Sequence, residues 1–200
     1  MILGCIIIGI VLAYFLVERQ KEADRQQHFQ QSDYFAQTGN AYYDVKTNAG
    51  KRGEYFISEL INPLIGYKRV LYNCYIPKAN GETTEVDVIL IHETGIYVIE
   101  SKNYKGWICG AETSEYWTQY TSRRVVEFRN PIKQNRSHIC VLQKVLPEYG
   151  TDIYRPIVVF AGRAELYKVF SSLPVVYCRN LLRTIRGYEG AACLSARQVE

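Results

Sequence analysis

Cysteine and histidine are too few and too scattered in this sequence to form a recognisable metal-binding module. Six cysteines and three histidines are spread over 200 residues, with no Cys-x-x-Cys pair and no histidine spaced to complete a zinc site. The pattern excludes a zinc finger. It favours thiols that stay reduced, as they do in the cytosol.

The sequence also lacks the motifs of base-specific nucleic-acid recognition. It has no helix-turn-helix, zinc-finger or RNP-like motif, and no internal repeat. The net charge of +4 is a modest excess spread along the chain, and 48% of the residues are hydrophobic. This composition provides enough apolar material for the core of one globular domain.

The first 17 residues lack any charged side chain and are dominated by aliphatic and aromatic residues. Such a run is at the short end of what a membrane-spanning helix needs. A secretory signal peptide is the alternative, but no basic region precedes the run and no small-x-small cleavage site comes before Glu18. The sequence therefore predicts an uncleaved transmembrane anchor over residues 1–17.

Basic residues follow this run at Arg19, Lys21 and Arg25. The positive-inside tendency then predicts a single-pass membrane protein with its C-terminal domain in the cytoplasm. Residues 18–47 are polar and predict a helical extension followed by a looser linker. We expect a globular domain over residues 48–165, with a strand and a helix in residues 166–200 that complete or flank it.

Two apolar β-type runs, residues 85–90 and 96–102, flank a four-residue segment that ends in Gly95. This arrangement predicts a β-hairpin. With the loop centred in that segment, Ile91 pairs with Ile96, and the rest of the register follows from that pair.

The predicted register places charged residues opposite each other. Asp87 faces Glu100, with Cβ atoms roughly 5 Å apart, and Lys102 lies on the same face as Glu100. Facing carboxylates destabilise a strand pair, but a divalent cation such as Mg²⁺ removes the conflict. Lys102 could then orient water or stabilise charge in a phosphodiester hydrolysis. The alternative is an exposed hairpin with a surface Glu100–Lys102 ion pair, worth about 0–1 kcal/mol.

Hydrophobic periodicity predicts an α/β fold with a central mixed sheet flanked by helices. The predicted elements are a helix near residues 50–64, a strand at 70–75, the hairpin, a strand or turn region at 107–120, a helix at 131–146, strands at 156–160 and 174–177, and a terminal helix from residue 180.

Asp87 followed by Glu100-Ser101-Lys102 resembles the PD-(D/E)xK motif of the restriction-endonuclease-like nucleases. The flanking motifs are more specific: they are Gly50–Glu54, Glu85–Asp87, Gly95–Gly106, Trp117 and Asn130–Asn135. In this order they resemble the nuclease-related domain, NERD, over about residues 48–165. The resemblance implies a restriction-endonuclease-like core and hydrolysis of nucleic acid, DNA foremost, with Mg²⁺ or Mn²⁺.

The resemblance implies two further site residues. Glu54 would join Asp87 and Glu100 as a metal ligand, and Gln134 would help to place the metal or the nucleophile. Both positions also have plainer interpretations. An acid early in a helix is favourable to the helix dipole. Gln134 lies in the first turn after a predicted N-cap at Asn130, where a capping or solvent-facing role is the alternative.

Basic residues near these motifs could contact the phosphate backbone of a nucleic acid. They are Lys51, Arg52, Lys133 and Arg136, and the alternative for each is an ordinary solvated surface. His138 lies one turn beyond Gln134 on the same helix face. We expect it to be packed or solvated rather than bound to phosphate.

The sequence thus predicts a membrane-anchored, metal-dependent nuclease. Two other functions stay open at this point. One is a non-catalytic, membrane-tethered module that binds nucleic acid or serves as a scaffold. The other is a phosphodiesterase acting on a nucleotide.

Overall fold

The structure, a computed structural model, describes residues 2–188 and 193–200, with side chains from residue 6 onward. Within this range four α-helices come first, followed by six strands, one α-helix, three strands and two short α-helices. The helices are α1 (Ile2–Gln30), α2 (Asp33–Thr38), α3 (Tyr42–Thr47), α4 (Ala49–Ile61), α5 (Pro131–Val145), α6 (Leu181–Arg186) and α7 (Ala196–Val199). The strands are β1 (Lys68–Pro77), β2 (Thr83–His92), β3 (Gly95–Lys102), β4 (Lys105–Ala111), β5 (Tyr116–Tyr120), β6 (Val125–Arg129), β7 (Tyr154–Phe160), β8 (Arg163–Phe170) and β9 (Val175–Tyr177).

The strands form two sheets. The first has the order β1-β2-β3-β7-β9, with antiparallel pairing from β1 to β3 and parallel pairing from β3 to β9. This confirms the predicted α/β fold with a mixed sheet flanked by helices. The second sheet has the order β6-β5-β4-β8. The sequence had indicated strand or turn structure over residues 107–120, but neither β6 nor β8 was predicted.

The central parallel strands continue from the first sheet into the second. Lys102 at the end of β3 pairs with Phe160 at the end of β7, and Lys105 at the start of β4 pairs with Arg163 at the start of β8. The chain therefore leaves the first sheet at the C-terminal ends of β3 and β7. The second sheet begins within three residues of Lys102.

Three groups of buried side chains form the core. One lies on one face of the first sheet, below α4 and α6, and includes Ile57, Leu90 and Ile157. A second lies on the opposite face, against α5 and α7. The third, around Trp117 and Phe160, joins the second sheet to the first. Buried strands with apolar residues on both faces explain the continuous apolar runs of β3 and β7 in the sequence.

The predicted transmembrane anchor is contradicted. Among the described residues, no helix is long and apolar enough to cross a membrane. The uncharged part of α1 ends at Val17, because the helix carries charged residues from Glu18 onward. The predicted single-pass membrane localisation, with a cytoplasmic domain, has no support in these residues.

Residues 18–47 differ from the predicted extension and loose linker. The helix does extend past Val17, to Gln30, but it is followed by α2 and α3 rather than by an open linker. Phe29, Tyr34 and Val45 from this segment are buried in the same core group as Ile57. The segment is therefore packed into the domain.

Candidate active site

The hairpin has the predicted register. Ile91 pairs with Ile96, and the pairing continues to Val88 opposite Ile99. Asp87 and Glu100 are the next residues outward on the two strands. The turn takes only two residues between β2 and β3. The sequence argument therefore placed the two acids correctly.

Asp87, Glu100 and Lys102 are brought together at the end of β3. Lys102 Nζ donates to Glu100 Oε1 at 2.6 Å, and the Ser101 backbone N–H donates to Asp87 Oδ2 at 2.8 Å. Glu100 is only 3% exposed. The alternative of a surface ion pair is therefore excluded, because this pair is buried.

The two carboxyl groups have opposite pKa shifts. Burial, and then the negative charge of Glu100, raise the pKa of Asp87 to about 7. Burial also opposes ionisation of Glu100, but the neighbouring His138 and the charge of Lys102 hold the pKa of Glu100 below its ordinary value. In the site, Glu100 is therefore held in its ionised form, whereas the surroundings of Asp87 favour the protonated form of that carboxyl group.

Lys102 remains an ammonium group in this setting. Burial lowers its pKa, but the charge and hydrogen bond of Glu100 outweigh that effect, so the pKa of Lys102 is raised above its ordinary value. Lys102 is therefore suited to donate hydrogen bonds and stabilise negative charge. It is unsuited to take a proton as a general base.

His138 is a neighbour of the site that sequence analysis did not assign to it. Its Nε2 lies 3.2 Å from Glu100 Oε2, and its Nδ1 lies 3.0 Å from Thr84 Oγ1. The imidazole is 8% exposed, so it is packed, as expected, but packed against the central acid. The sequence signal that could have assigned His138 to the site was its position one turn beyond Gln134 on the same helix face.

Glu54 lies beside the acids but is held by its own partners. Tyr34 Oη donates to Glu54 Oε2 at 2.8 Å, and Asn40 Nδ2 donates to the same phenol at 3.3 Å. Burial raises the pKa of Glu54, against the effect of hydrogen bonds from Tyr34 and Asn73. The negative charge of Glu54 in turn contributes to the raised pKa of Asp87.

Gly53 explains how α4 approaches the strand ends so closely. A Cβ at this position would lie 2.9 Å from Ser101 Oγ and 3.1 Å from Asn103 Cβ. The absence of a side chain lets the helix pack directly on the end of β3. Glu54, the next residue, is placed next to the hairpin acids as a result.

Two asparagines hold helix α5 in position through hydrogen bonds, whereas Gln134 makes no comparable contact among the described residues. Asn130 is the N-cap, as predicted, and its amide donates to three carbonyls at the connection between β4 and β5. Asn135 is buried and donates to Val98 O at 2.7 Å and Ile157 O at 3.1 Å, which ties α5 to β3 and β7. Gln134 is half-buried, and among the described residues no hydrogen bond or ion pair joins its side chain to Asp87, Glu100 or Lys102.

The predicted phosphate-contacting residues have partners within the chain. Lys51 pairs with Asp44 at 3.6 Å, and Arg52 donates to Lys46 O at 2.9 Å. The other two are also paired: Lys133 with Glu115 and Arg136 with Glu112. Their role in binding nucleic acid stays a prediction.

The donor set fits a cation held by two carboxylates rather than by three. Within residues 2–188 and 193–200, no group of three or more His, Cys, Asp or Glu side chains is arranged to hold a metal ion. Glu54 is directed to Tyr34 instead. Asp87 and Glu100, however, repel each other, and the buried Glu100 Oε2 lacks a hydrogen bond of good geometry even with His138 close by. Hard cations such as Mg²⁺ accept such oxygens and complete their shell with water.

Comparisons with known proteins agree with the motifs. The family model described as "Nuclease-related domain" matches residues 49–161. An uncharacterised protein of Bacillus anthracis, pXO1-01, is 38% identical over 143 residues, covering 70% of this chain. The chain spans 66% of the length of that relative. A crystal structure of a protein of unknown function, AF1548, aligns with 72% of this chain and 55% of its own at 14% identity, with a TM-score of 0.35. On the strength of the family match, this chain belongs to the nuclease-related domain family.

Proposed function

We propose that this protein is a metal-dependent nuclease that hydrolyses phosphodiester bonds in nucleic acid, DNA foremost. The observation that carries the proposal is the buried cluster of Asp87, Glu100 and Lys102. Its acids lie in adjacent positions of two strands, and Glu100 Oε2 is buried 3.2 Å from His138 Nε2 without a well-aligned hydrogen bond. Burying two carboxyl groups side by side costs stability, so the arrangement calls for a functional reason.

Asp87 and Glu100 would hold the cation. When bound, Mg²⁺ or Mn²⁺ would supply Lewis acidity at the scissile phosphate and lower the pKa of a bound water. The Ser101 N–H fixes one oxygen of Asp87 and leaves the other available. Lys102 donates to Glu100 Oε1, and His138 Nε2 lies 3.2 Å from Glu100 Oε2, so both oxygens of this carboxylate have a neighbouring group before any ligand binds.

Lys102 would act on the reacting phosphate. Its ammonium group can donate to the attacking water or to the oxygens that gain charge in the transition state. Glu54, held by Tyr34 and Asn73, would support the position of the nucleophile at the edge of the site. Gln134 belongs to the proposal only through the family motif.

The test is cleavage of plasmid and single-stranded DNA by the full chain with Mg²⁺ or Mn²⁺. Glu100→Gln and Lys102→Met should each lower the rate at least about a hundredfold, the usual cost of losing a polarising or proton-transferring group. The matched controls are Glu82→Gln and Lys78→Met, because this pair is joined at 3.5 Å on the exposed surface. The controls should cleave like the wild type.

A second measurement separates metal binding from catalysis. Mg²⁺ should raise the thermal unfolding midpoint of the wild-type protein and of Glu82→Gln, but not that of Asp87→Asn. Equal cleavage by the wild type, Glu100→Gln and Lys102→Met would overturn the nuclease proposal. Binding of nucleic acid without cleavage in any metal would favour the non-catalytic alternative.

A further inference from the structure

The second sheet has one buried face and one open face. Ile108 and Trp117 point into the core, where Trp117 stacks on Phe160 with the ring planes 2° apart. Side chains alternate along a strand, so the neighbours of these residues point the other way. That opposite side, which we call the outer face, is formed by alternate residues of β6, β5, β4 and β8.

Aromatic side chains are concentrated on the outer face. Trp107 and Tyr120 are cross-strand partners, and Tyr167 stacks on Trp107 with ring centroids 5.4 Å apart and planes at 23°. Tyr116 lies on the same face of β5, and Phe170 is at the end of β8. These five side chains are between 42% and 68% exposed. Large aromatics left in solvent on one sheet face mark a binding surface.

Basic side chains border these aromatics. Lys105 and Arg163 are opposite each other on β4 and β8 at one end of the sheet, and Arg129 is opposite Tyr116. Lys168 lies 5.4 Å above the Tyr167 ring. Within the described part of the chain, none of these four cations has an acidic partner within ion-pair distance. The acids on this face are Glu127 and Glu165, and Glu165 already accepts from Trp107 Nε1 at 2.9 Å. The outer face therefore has a net positive charge.

The outer face begins at the candidate active site. Lys102 and Phe160 are the last paired residues of β3 and β7, and Lys105 and Arg163 open β4 and β8 only three residues later. The basic end of the outer face is thus the end closest along the strands to the catalytic cluster.

We propose that the outer face of the second sheet binds single-stranded nucleic acid and guides it to the active site. Unpaired bases expose their ring faces and can stack on Trp107, Tyr120 and Tyr167, whereas a duplex hides those faces. The flanking cations neutralise backbone phosphates as the strand passes. The inference deepens the proposed nuclease function and rests on it for the direction of the strand.

Tryptophan fluorescence provides a direct probe of this surface. The chain has two tryptophans, of which Trp107 is 52% exposed and Trp117 is fully buried. A 20-nucleotide oligo(dT), added to the full chain in EDTA so that no cleavage occurs, should quench the Trp107 emission. A matched duplex of the same length should quench it much less.

Variants test the same surface by anisotropy of a labelled oligo(dT). Trp107→Leu and Tyr167→Ala should each weaken binding at least about fivefold, the lower end of what one base–aromatic stack provides. The matched control is Tyr43→Ala, because Tyr43 is 72% exposed but lies on α3, outside the outer face. It should bind like the wild type.

The outcomes separate this inference from the nuclease proposal. If both Trp107→Leu and Tyr167→Ala bind oligo(dT) as tightly as the wild type does, the proposed binding surface is wrong, whatever the enzyme cleaves. Equal affinity for single strand and duplex would also contradict it. Unchanged cleavage by Glu100→Gln would overturn the nuclease proposal alone, because binding is measured without metal. Loss of binding in the two face variants but not in Tyr43→Ala supports the surface.

Discussion

The Asp87 carboxyl must be ionised to hold a cation, yet its surroundings resist ionisation. Its pKa is raised to about 7, first by burial and then by the charge of Glu100. A bound cation would reverse both effects, since it replaces lost hydration and offsets the neighbouring charge. The metal-free protein should therefore be less stable when Asp87 is ionised.

This effect gives a pH dependence of stability with a definite sign. The unfolded chain ionises Asp87 near its ordinary pKa of 3.8, whereas the folded chain does so near 7. Between these values the folded state binds more protons, so the contribution of Asp87 to the free energy of unfolding falls as pH rises. In EDTA, wild-type stability should decline over pH 4–7 relative to Asp87→Asn, which has no charge to bury.

Thermal unfolding in EDTA measures this difference. At pH 8, Asp87→Asn should unfold at a temperature several degrees above the wild type, because about 1 kcal/mol shifts the midpoint by roughly 2–4 °C in a chain of this size. Asp44→Asn is the control, since Asp44 is an exposed acid. If Asp87→Asn and the wild type have parallel pH profiles, the carboxyl is not destabilised as we infer.

Strand β1 has a local distortion next to the site. The register pairs Tyr72 with Val88 and Cys74 with Val86, which places Asn73 across from Asp87. Asn73 has a φ of 51°, the only positive φ of a non-glycine residue among those described. Its side chain lies close enough to Glu54 to lower the pKa of that carboxyl, while its Oδ1 is buried without a hydrogen bond. Backbone strain of this kind is typical of functional sites.

Two substitutions separate the backbone from the side chain at Asn73. Asn73→Gly accepts the left-handed conformation, so it should keep nearly wild-type stability. Asn73→Ala must hold that conformation without the side-chain bonds, so it should lose about 1–2 kcal/mol of unfolding free energy. Both variants lose the contact to Glu54 and should cleave DNA more slowly than the wild type.

Urea unfolding and the Mg²⁺-dependent cleavage rate measure the two effects at Asn73. Asn80→Ala, in the exposed turn between β1 and β2, is the control for a general loss of asparagine. Full activity in Asn73→Gly would show that the side chain does not support the site.

Local signals in the sequence determined the hairpin and α5, and these were predicted well. The two-residue turn fixes the register that brings Asp87 and Glu100 together, and Asn130 with a following proline defines the start of α5. The second sheet was harder, because β8 pairs with β4 over a separation of more than fifty residues. Asn73 and Tyr34 reach the site through contacts between residues far apart in the sequence, and hydrophobic periodicity does not predict such contacts.

At the scale of the whole molecule, the domain begins earlier than the family match. The match starts at residue 49, but Phe29 and Tyr34 are fully buried and Val45 is 3% exposed. Phe29 packs against Tyr34, Phe35, Tyr42 and Tyr55 with ring centroids between 5.1 and 6.4 Å apart. The polar, Gln-rich composition of residues 18–47 concealed these few apolar anchors. Tyr34 also reaches Glu54, so this segment supports the site as well as the core.

Removing this segment should therefore unfold the domain. A fragment of residues 18–200 keeps Phe29, Tyr34 and Val45 and should unfold cooperatively on heating, whereas residues 48–200 should show no cooperative transition. Burial of a single Phe is worth about 3–5 kcal/mol, a large part of the roughly 5–15 kcal/mol that stabilises a typical domain. Within the full chain, Phe29→Ala should lose about that amount, while Phe15→Ala, whose side chain is 63% exposed on the same helix, should lose almost none. Cooperative unfolding of residues 48–200 at the same temperature as 18–200 would mean that the N-terminal helices only rest on a domain that is already complete.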